Sequence, residues 1–494
     1  MTTNAPDPPH GGDPTFEDAD FDYQSGEVAR PGLVADLESR VAGDVRFDTY
    51  SRQLYATDAS AYEVTPIGVV LPKSTEDVSA VVSYCAEREI PVLPRGGGTS
   101  LAGQTVNEAV VLDFTRYMDG IRSIDPESQR ATVESGCILG SLNEAAEPHG
   151  LKFAPDPAWG DKSAIGGAIG NNSTGSHSLK YGKTDHYVES CQVVFADGTV
   201  RELGEVSVEK LRADADPEGT TFERISAEVV RILDEEAAEI RDRYPDLKRN
   251  VSGYNLDRLL AEADGEFGPE GTVNLARLLA GSEGTLGIVT EATVSLEPIP
   301  ETKAIGLLTY DSLTEAMSDV APILEHDPAA VEVMDDVLLD LARDTAEFAD
   351  VVGMLPEGTD SVLLVEFYAD SDEAGREKVA GLLADRVPSA DTEVDPPDGA
   401  PTTDADRPAV AAMEAHDADR REQFWKMRKA GLPILLGRTS DAKHISFIED
   451  CAIPPEHLEA YTEGFQEILE DTGTFASFYA HAGPGVLHVR PLIN

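Results

Sequence analysis

Two glycine-rich stretches about 70 residues apart carry the clearest chemistry in this chain. The first runs Pro94-Arg95-Gly96-Gly97-Gly98-Thr99-Ser100-Leu101-Ala102-Gly103-Gln104. The second is Ile165-Gly166-Gly167-Ala168-Ile169-Gly170-Asn171-Asn172-Ser173-Thr174-Gly175, with Pro155-Asp156-Pro157 shortly before it. Consecutive glycines let a backbone approach a ligand with its N–H groups turned inward, which suits the acceptor oxygens of phosphate. The first loop nearly has P-loop spacing, but Gln104 stands where the phosphate-binding lysine must be, which argues against an NTPase. A Rossmann fingerprint needs a third glycine where this chain has Leu101. A tight surface turn explains one such loop, but not a second flanked by Asn, Ser and Thr. What remains is a long, phosphate-bearing cofactor held by main-chain amides from both loops.

A second constellation lies in His481-Ala482-Gly483-Pro484-Gly485-Val486-Leu487-His488. On an unbroken strand these two histidines would face opposite sides, because side chains alternate. Gly483-Pro484-Gly485 breaks the strand with a turn and lets both imidazoles converge. Arg490 follows His488 by two residues and so shares its face.

The elements that must position these groups mix α and β without the regular alternation of a doubly wound sheet. Residues 1 to about 30 are rich in Pro, Gly and Asp and read as a disordered acidic tail. Ser74-Thr75-Glu76-Asp77 starts a helix with Val78, Val81, Val82 and Cys85 on one face. Strands are expected at Ile90–Leu93, Ala109–Asp113, Ala131–Glu134 and Gly287–Val294, and a hairpin around Asp197-Gly198. Residues 201–270 read as a charged helical insertion, with Ile225, Val229, Val230 and Leu233 as its apolar stripe. Pro298 and Pro300 mark a domain boundary. A second α/β block follows, interrupted at about 387–408 by a Pro- and Asp-rich loop.

The chain has 494 residues, enough for two or three domains, and 92 Asp+Glu against 39 Lys+Arg give a formal charge of -53. Such self-repulsion opposes a compact fold until salt screens it, as it does when the Debye length falls to ~3 Å at molar ionic strength. The acidic residues are spread along the whole sequence, so the charge reads as adaptation to a salty cytoplasm. No basic patch is visible, which argues against nucleic-acid binding. Cys85, Cys137, Cys191 and Cys451 are far apart and form no C-x-x-C pair, as expected in a reducing compartment. With no bilayer-spanning apolar run and no signal-peptide pattern, the expected location is cytoplasmic.

Five motifs then fall in a telling order: Pro94–Ser100, Pro155-Asp156-Pro157, Ile165-Gly166-Gly167, Lys180-Tyr181-Gly182 and Gly281-Ser282-Glu283-Gly284-Thr285-Leu286-Gly287-Ile288. Together they resemble the FAD-binding domain of the vanillyl-alcohol oxidase / p-cresol methylhydroxylase superfamily. Gly253-Tyr254-Asn255-Leu256 narrows the resemblance to the branch of D-lactate dehydrogenase, the glycolate oxidase flavin subunit and D-2-hydroxyglutarate dehydrogenase. It covers roughly residues 45 to 494.

The resemblance implies an α+β chain: a two-part FAD-binding domain at 45–298, then an α/β substrate-binding cap at 300–494. It implies that Gly96, Gly97, Gly98, Thr99 and Ser100 bind the FAD pyrophosphate, with Arg95 and Gln104 beside them. Pro155, Asp156, Gly166, Gly167, Asn171, Gly175, Tyr181, Gly182 and Glu283 would line the dinucleotide, and Ile288 would meet it through its backbone. Relatives with covalent flavin carry a histidine where this chain has Thr99, so non-covalent FAD is expected.

Oxidising a 2-hydroxy acid needs a carboxylate clamp, a proton acceptor and a geometry that presents the Cα hydrogen to flavin. The resemblance gives His481 and His488 the hydroxyl proton or a divalent metal, although two ligands do not complete a metal site. Relatives commonly carry Asp and Asn at the places of Pro484 and Val486. Arg428 matches a carboxylate-binding arginine, with Arg490 as a second clamp, since a planar guanidinium pairs bidentately with carboxylate. A surface-helix arginine is the competing reading of Arg428. Glu449-Asp450-Cys451-Ala452 resembles a segment lining the same cleft, and a solvated acidic face explains it as well. His149, His177, His186 and His444 read as structural, with His177 the nearest exception because it sits in a flavin loop.

Relatives continue past Asn494 to a Glu-His-Gly type segment, and larger ones to a cysteine-rich iron–sulfur domain that passes electrons to a membrane carrier. The expectation is therefore a truncated chain with an incomplete cap, meeting the membrane only through a partner. The leading reading is FAD-dependent oxidation of D-lactate, glycolate or D-2-hydroxyglutarate. The alternative is a non-catalytic, partner-dependent FAD-binding subunit. An alditol or aromatic-alcohol oxidase would not need arginine near the histidine pair.

Overall fold

The computed structural model describes residues 31–157, 159–343, 345, 348, 352–387, 408–429, 431, 435, 437 and 441–493. The acidic tail at 1–30 lies outside them, as does nearly all of the loop expected at about 387–408.

Three sheets organise the chain. The first has the order Asp44–Arg46, Gly68–Leu71, Val110–Asp113, Val92–Arg95, and its last three strands run parallel. Helix Thr75–Ala86 covers it, burying Val78, Val81, Val82 and Cys85 as the sequence stripe requires. Ser74 caps that helix by accepting from the Asp77 amide. The strand Val92–Arg95 delivers the chain directly into the first glycine loop.

The second sheet is antiparallel, in the order Ile121–Asp125, Arg130–Glu134, Ile288–Ser295, Val188–Val194, Val200–Leu203. Its central strand alternates buried and half-exposed residues along its whole length, as a half-buried strand should. The segment between Val200–Leu203 and this strand is largely helical, at Val208–Asp214, Thr221–Arg231, Ala237–Arg243 and Leu256–Ala263. Glu205–Ser207 pairs with Thr272–Asn274 and closes its base.

The third sheet forms the cap. Its order is Ala411–Ala415, Thr302–Tyr310, Ser361–Ala369, Ala330–Met334, Ala476–His481, Val486–Ile493, Lys443–His444, and Ile448–Ala452 also pairs with Val486–Ile493. Every pairing in it is antiparallel.

Its two faces bury different sets. Val331, Val333, Val365, Phe367, Phe478 and Ala480 face helices Leu313–Leu324, Asp372–Arg386 and Leu458–Thr472. Residues between them must point the other way, toward helices Asp336–Arg343 and Ala418–Lys429. This alternation places Glu332, Glu366, Tyr479, His481, His488 and Arg490 on one face. The four cysteines are free. No helix among the described residues is long and apolar enough to cross a membrane.

Candidate active site

Both glycine loops and the cap face one cleft of about 450 Å³. Arg95, Gly96, Gly97, Gly98, Thr99, Ser100, Gln104, Gly166, Gly167, Asn171 and Glu283 line it from the FAD-binding side. Close packing dictates the first glycines: a Cβ on Gly97 would lie 1.9 Å from the Lys162 carbonyl oxygen. Gly98 has φ +65, a conformation that favours glycine. Gly167 differs, because a Cβ there would meet nothing within 4 Å although the residue borders the cleft. That cradle is glycine for the sake of what enters it.

The Arg95 guanidinium is spent on the carbonyls of Tyr55, Thr57 and Thr105, so it braces the loop. Gln104 Nε2 donates to Asn171 Oδ1 at 3.2 Å and ties the two loops together. Its Oε1 is buried without a partner, an acceptor left for a ligand. Thr99 Oγ1 lies 3.0 Å from Ser163 Oγ.

These features fit a dinucleotide bound through main-chain amides. Gly167→Leu should therefore give a folded but colourless protein, checked by visible absorbance and circular dichroism. Gly97→Ala should instead lower stability in chemical denaturation.

Six expected cofactor contacts fall outside the lining. Pro155 is buried, and Asp156 Oδ2 turns to Lys429 and His177 at 3.7 and 3.9 Å. A Gly175 Cβ would strike the Asp156 carbonyl oxygen at 1.7 Å, so close packing requires this glycine. Tyr181 packs beside Tyr368 with ring centres 6.1 Å apart, and Gly182 turns the chain at φ +73. The Ile288 side chain joins the core of the first sheet, and its backbone pairs with Val194.

From the cap, Ala476–His481 and Val486–Ile493 form a hairpin that brings the His481 and His488 rings to 5.1 Å. Both line the cleft. His481 Nδ1 lies 2.9 and 3.0 Å from the two carboxylate oxygens of Glu332. Arg428 Nη2 reaches the same carboxylate at 2.6 Å. Arg428 is buried, against the surface-helix reading, and its Nε has no partner. His488 Nδ1 sits 2.8 Å from Glu449 Oε2. Arg490 pairs with the other oxygen of Glu449 and donates to Tyr479 Oη at 2.7 Å. Buried, Arg490 holds Tyr479 and Glu449 and also borders the cleft, where it stays the proposed second clamp.

Asp450 has φ +48 at an irregularity in the strand pairing, which turns two consecutive carboxylates to the same site. It holds Arg249 Nη2 at 3.1 Å, while Arg249 Nε and Nη1 are buried without partners. His177 Nε2 and Trp425 Nε1 share the buried Glu366 carboxylate at 2.7 and 2.8 Å, joining the flavin loop to the cap.

Electrostatics separates the roles. Burial pushes Glu332 up to about 7 against the pull of Arg428. Burial, with Arg249, His488 and Arg428 beside it, holds the His481 imidazole well below 6.5. Burial works to raise Asp450, but Arg249, His488 and His481 outweigh it and keep this carboxyl below its usual range. Among the described residues, no group of three or more His, Cys, Asp or Glu is placed to hold a metal ion. With both Nδ1 atoms engaged by carboxylates, the arrangement leaves each Nε2 suited to proton transfer and equally to a metal ion.

Glu332, Arg249 and Tyr479 escaped the sequence reading. Glu332 alone left a trace, as an acid between Val331 and Val333 in an apolar strand. Arg249 left none.

The arrangement is an amide-lined dinucleotide cleft closed by a cap that carries paired imidazoles and buried guanidinium groups, and it is suited to flavin chemistry. Residues 66–204 match the FAD binding domain family, and residues 299–494 match the C-terminal domain of FAD linked oxidases. The chain belongs to the FAD-linked oxidases, and FAD is the cofactor of its first domain. It is 31% identical over 462 residues to D-2-hydroxyglutarate dehydrogenase of Escherichia coli K12, covering 92% of this chain and 43% of that one. It is 29% identical to the glycolate oxidase subunit GlcD of Bacillus subtilis (91% and 78% covered) and 26% identical to D-lactate dehydrogenase of Archaeoglobus fulgidus (86% and 75%).

The chain thus spans less than half the length of the D-2-hydroxyglutarate dehydrogenases that it matches. In fold it resembles alkyldihydroxyacetonephosphate synthase, with TM-score 0.62 at 16% identity over 93% of this chain and 80% of that one. It also resembles 4-ethylphenol oxidase from Gulosibacter chungangensis, with TM-score 0.59 at 16% identity over 95% and 83%.

Proposed function

We propose that this chain oxidises a small D-2-hydroxy acid (D-lactate, glycolate or D-2-hydroxyglutarate) to the 2-oxo acid. The observation that carries this reading is the meeting of His481, His488, Arg428 and Arg249 in the cleft lined by the glycine loops. Bound FAD supplies an acceptor for the hydride leaving Cα.

The protein's own groups handle the proton and the carboxylate. Glu332 accepts from His481 Nδ1–H, which leaves the Nε2 lone pair to take the hydroxyl proton as the carbonyl forms. Arg428 and Arg249 offer their unpaired N–H groups to the substrate carboxylate. Arg490 and Glu449 fix His488 and Tyr479 at the wall of the cleft.

Electrons then leave through a partner, proposed as an iron–sulfur domain or subunit. Support comes from the B. subtilis relative, which is itself named as a subunit. Anaerobic mixing of the FAD-loaded chain with a panel of 2-hydroxy acids should bleach the visible flavin absorbance for at least one D-acid. A flavin that stays yellow with all of them, yet bleaches with dithionite, would favour the non-catalytic subunit.

A further inference from the structure

We propose that the seam between the FAD-binding domain and the cap holds a second ligand site, for a small polyvalent oxyanion, in a pocket apart from the cofactor cleft. The pocket measures about 480 Å³, within the range of metabolite sites, and Lys180, Lys248, Lys378 and Tyr368 contribute to its walls. Gly483 and Pro484 of the histidine hairpin complete one side.

Two more lysines crowd in behind. The Nζ atoms of Lys152, Lys180 and Lys303 lie 5.7, 5.8 and 5.4 Å from the centre of the Tyr368 ring. Lys378 Nζ donates to the Tyr368 carbonyl at 3.2 Å.

The chain has twelve lysines, and five of them gather here. Elsewhere Lys183, Lys210, Lys426 and Lys429 each reach a carboxylate. Among the described residues, none of the five forms an ion pair, in a chain with 92 acidic residues to choose from.

Asp246, Asp327 and Glu456 also line the pocket, on its exposed rim. They balance its three wall lysines, while Asp156, Glu366 and Glu297 act on Lys152 behind them. The nearby Glu366 is already engaged by His177 and Trp425. Lys152 shows the cost of the crowding: burial first, then Lys303 beside it, pulls its ammonium down to about 8. Tyr368 Oη is buried against the Tyr181 hydroxyl. Ammonium groups on flexible stems suit a non-planar, multiply charged anion better than one planar carboxylate, for which arginine is the fitter partner.

The test is calorimetric titration of the FAD-loaded chain with citrate and, separately, with pyrophosphate, at constant ionic strength set with KCl. Saturable one-site binding is expected with at least one of them, and the tighter binder tells a polycarboxylate source from a phosphate source. Lys180 and Lys248 are exposed, so the Lys180→Gln/Lys248→Gln variant should fold and keep its flavin spectrum. It should bind the anion at least ~10-fold more weakly, about 1.4 kcal/mol. No saturable heat with either anion, or equal binding by the variant, would overturn the proposal.

Discussion

Replacing His481 with asparagine should slow flavin reduction by a D-2-hydroxy acid about 10²- to 10⁴-fold, the usual worth of a positioned general base. FAD should still load, because the glycine loops that face its phosphates make no hydrogen bond to His481. Asparagine keeps a polar group near Glu332 but offers no basic nitrogen to the cleft.

The pH profile adds a second readout. Burial, with Arg249 and Arg428 nearby, depresses the His481 imidazole well below 6.5, so the base form prevails at neutral pH. Lowering the pH protonates it and must slow the reaction. The acid limb of kcat/KM should therefore lie below pH 6.5 and vanish in the variant. A variant within about threefold of the parent rate would remove His481 from the proton path.

Arg428→Met is expected to have the largest effect on stability. It leaves the Glu332 carboxylate, fully buried within the sheet, with His481 as its one remaining polar partner among the hydrogen bonds and ion pairs of the site. Removing one partner of such a pair costs about 3–5 kcal/mol, because the remaining charge is left uncompensated. The double variant Arg428→Met/Glu332→Leu should recover most of that loss, since an apolar pair of similar volume avoids the desolvation penalty. Substrate KM should stay high in both, because neither presents a guanidinium to the carboxylate. Chemical denaturation and steady-state kinetics together separate the two roles. Recovery of KM along with stability in the double variant would make Arg428 a structural residue only.

What could be read from the sequence was local. The glycine loops announce themselves because close backbone approach admits no Cβ, as at Gly97 against Lys162. The His481/His488 hairpin was legible because alternation and a Gly-Pro-Gly turn fix the two faces. Arg490 was placed on the correct face, but its burial depends on Tyr479 and Glu449, contributed by neighbouring strands.

Groups paired across the chain were not legible. Glu332 meets His481 from 149 residues away, and Arg249 meets Asp450 from 201. The order of motifs did not fix their placement either. Tyr181 and Gly175 belong to ordered motifs or loops, yet neither borders the cleft directly. No basic patch was visible because its five lysines are scattered from position 152 to 378 and converge only in the fold.

The central claim is that the cofactor loops and the histidine hairpin close on one and the same ligand. Hydrogen exchange read by mass spectrometry, with and without FAD, tests it most directly. FAD should slow exchange in residues 94–105 and 163–172 and also in 479–488, the segments that share the cleft. Protection confined to the glycine loops, with 479–488 unchanged, would contradict it.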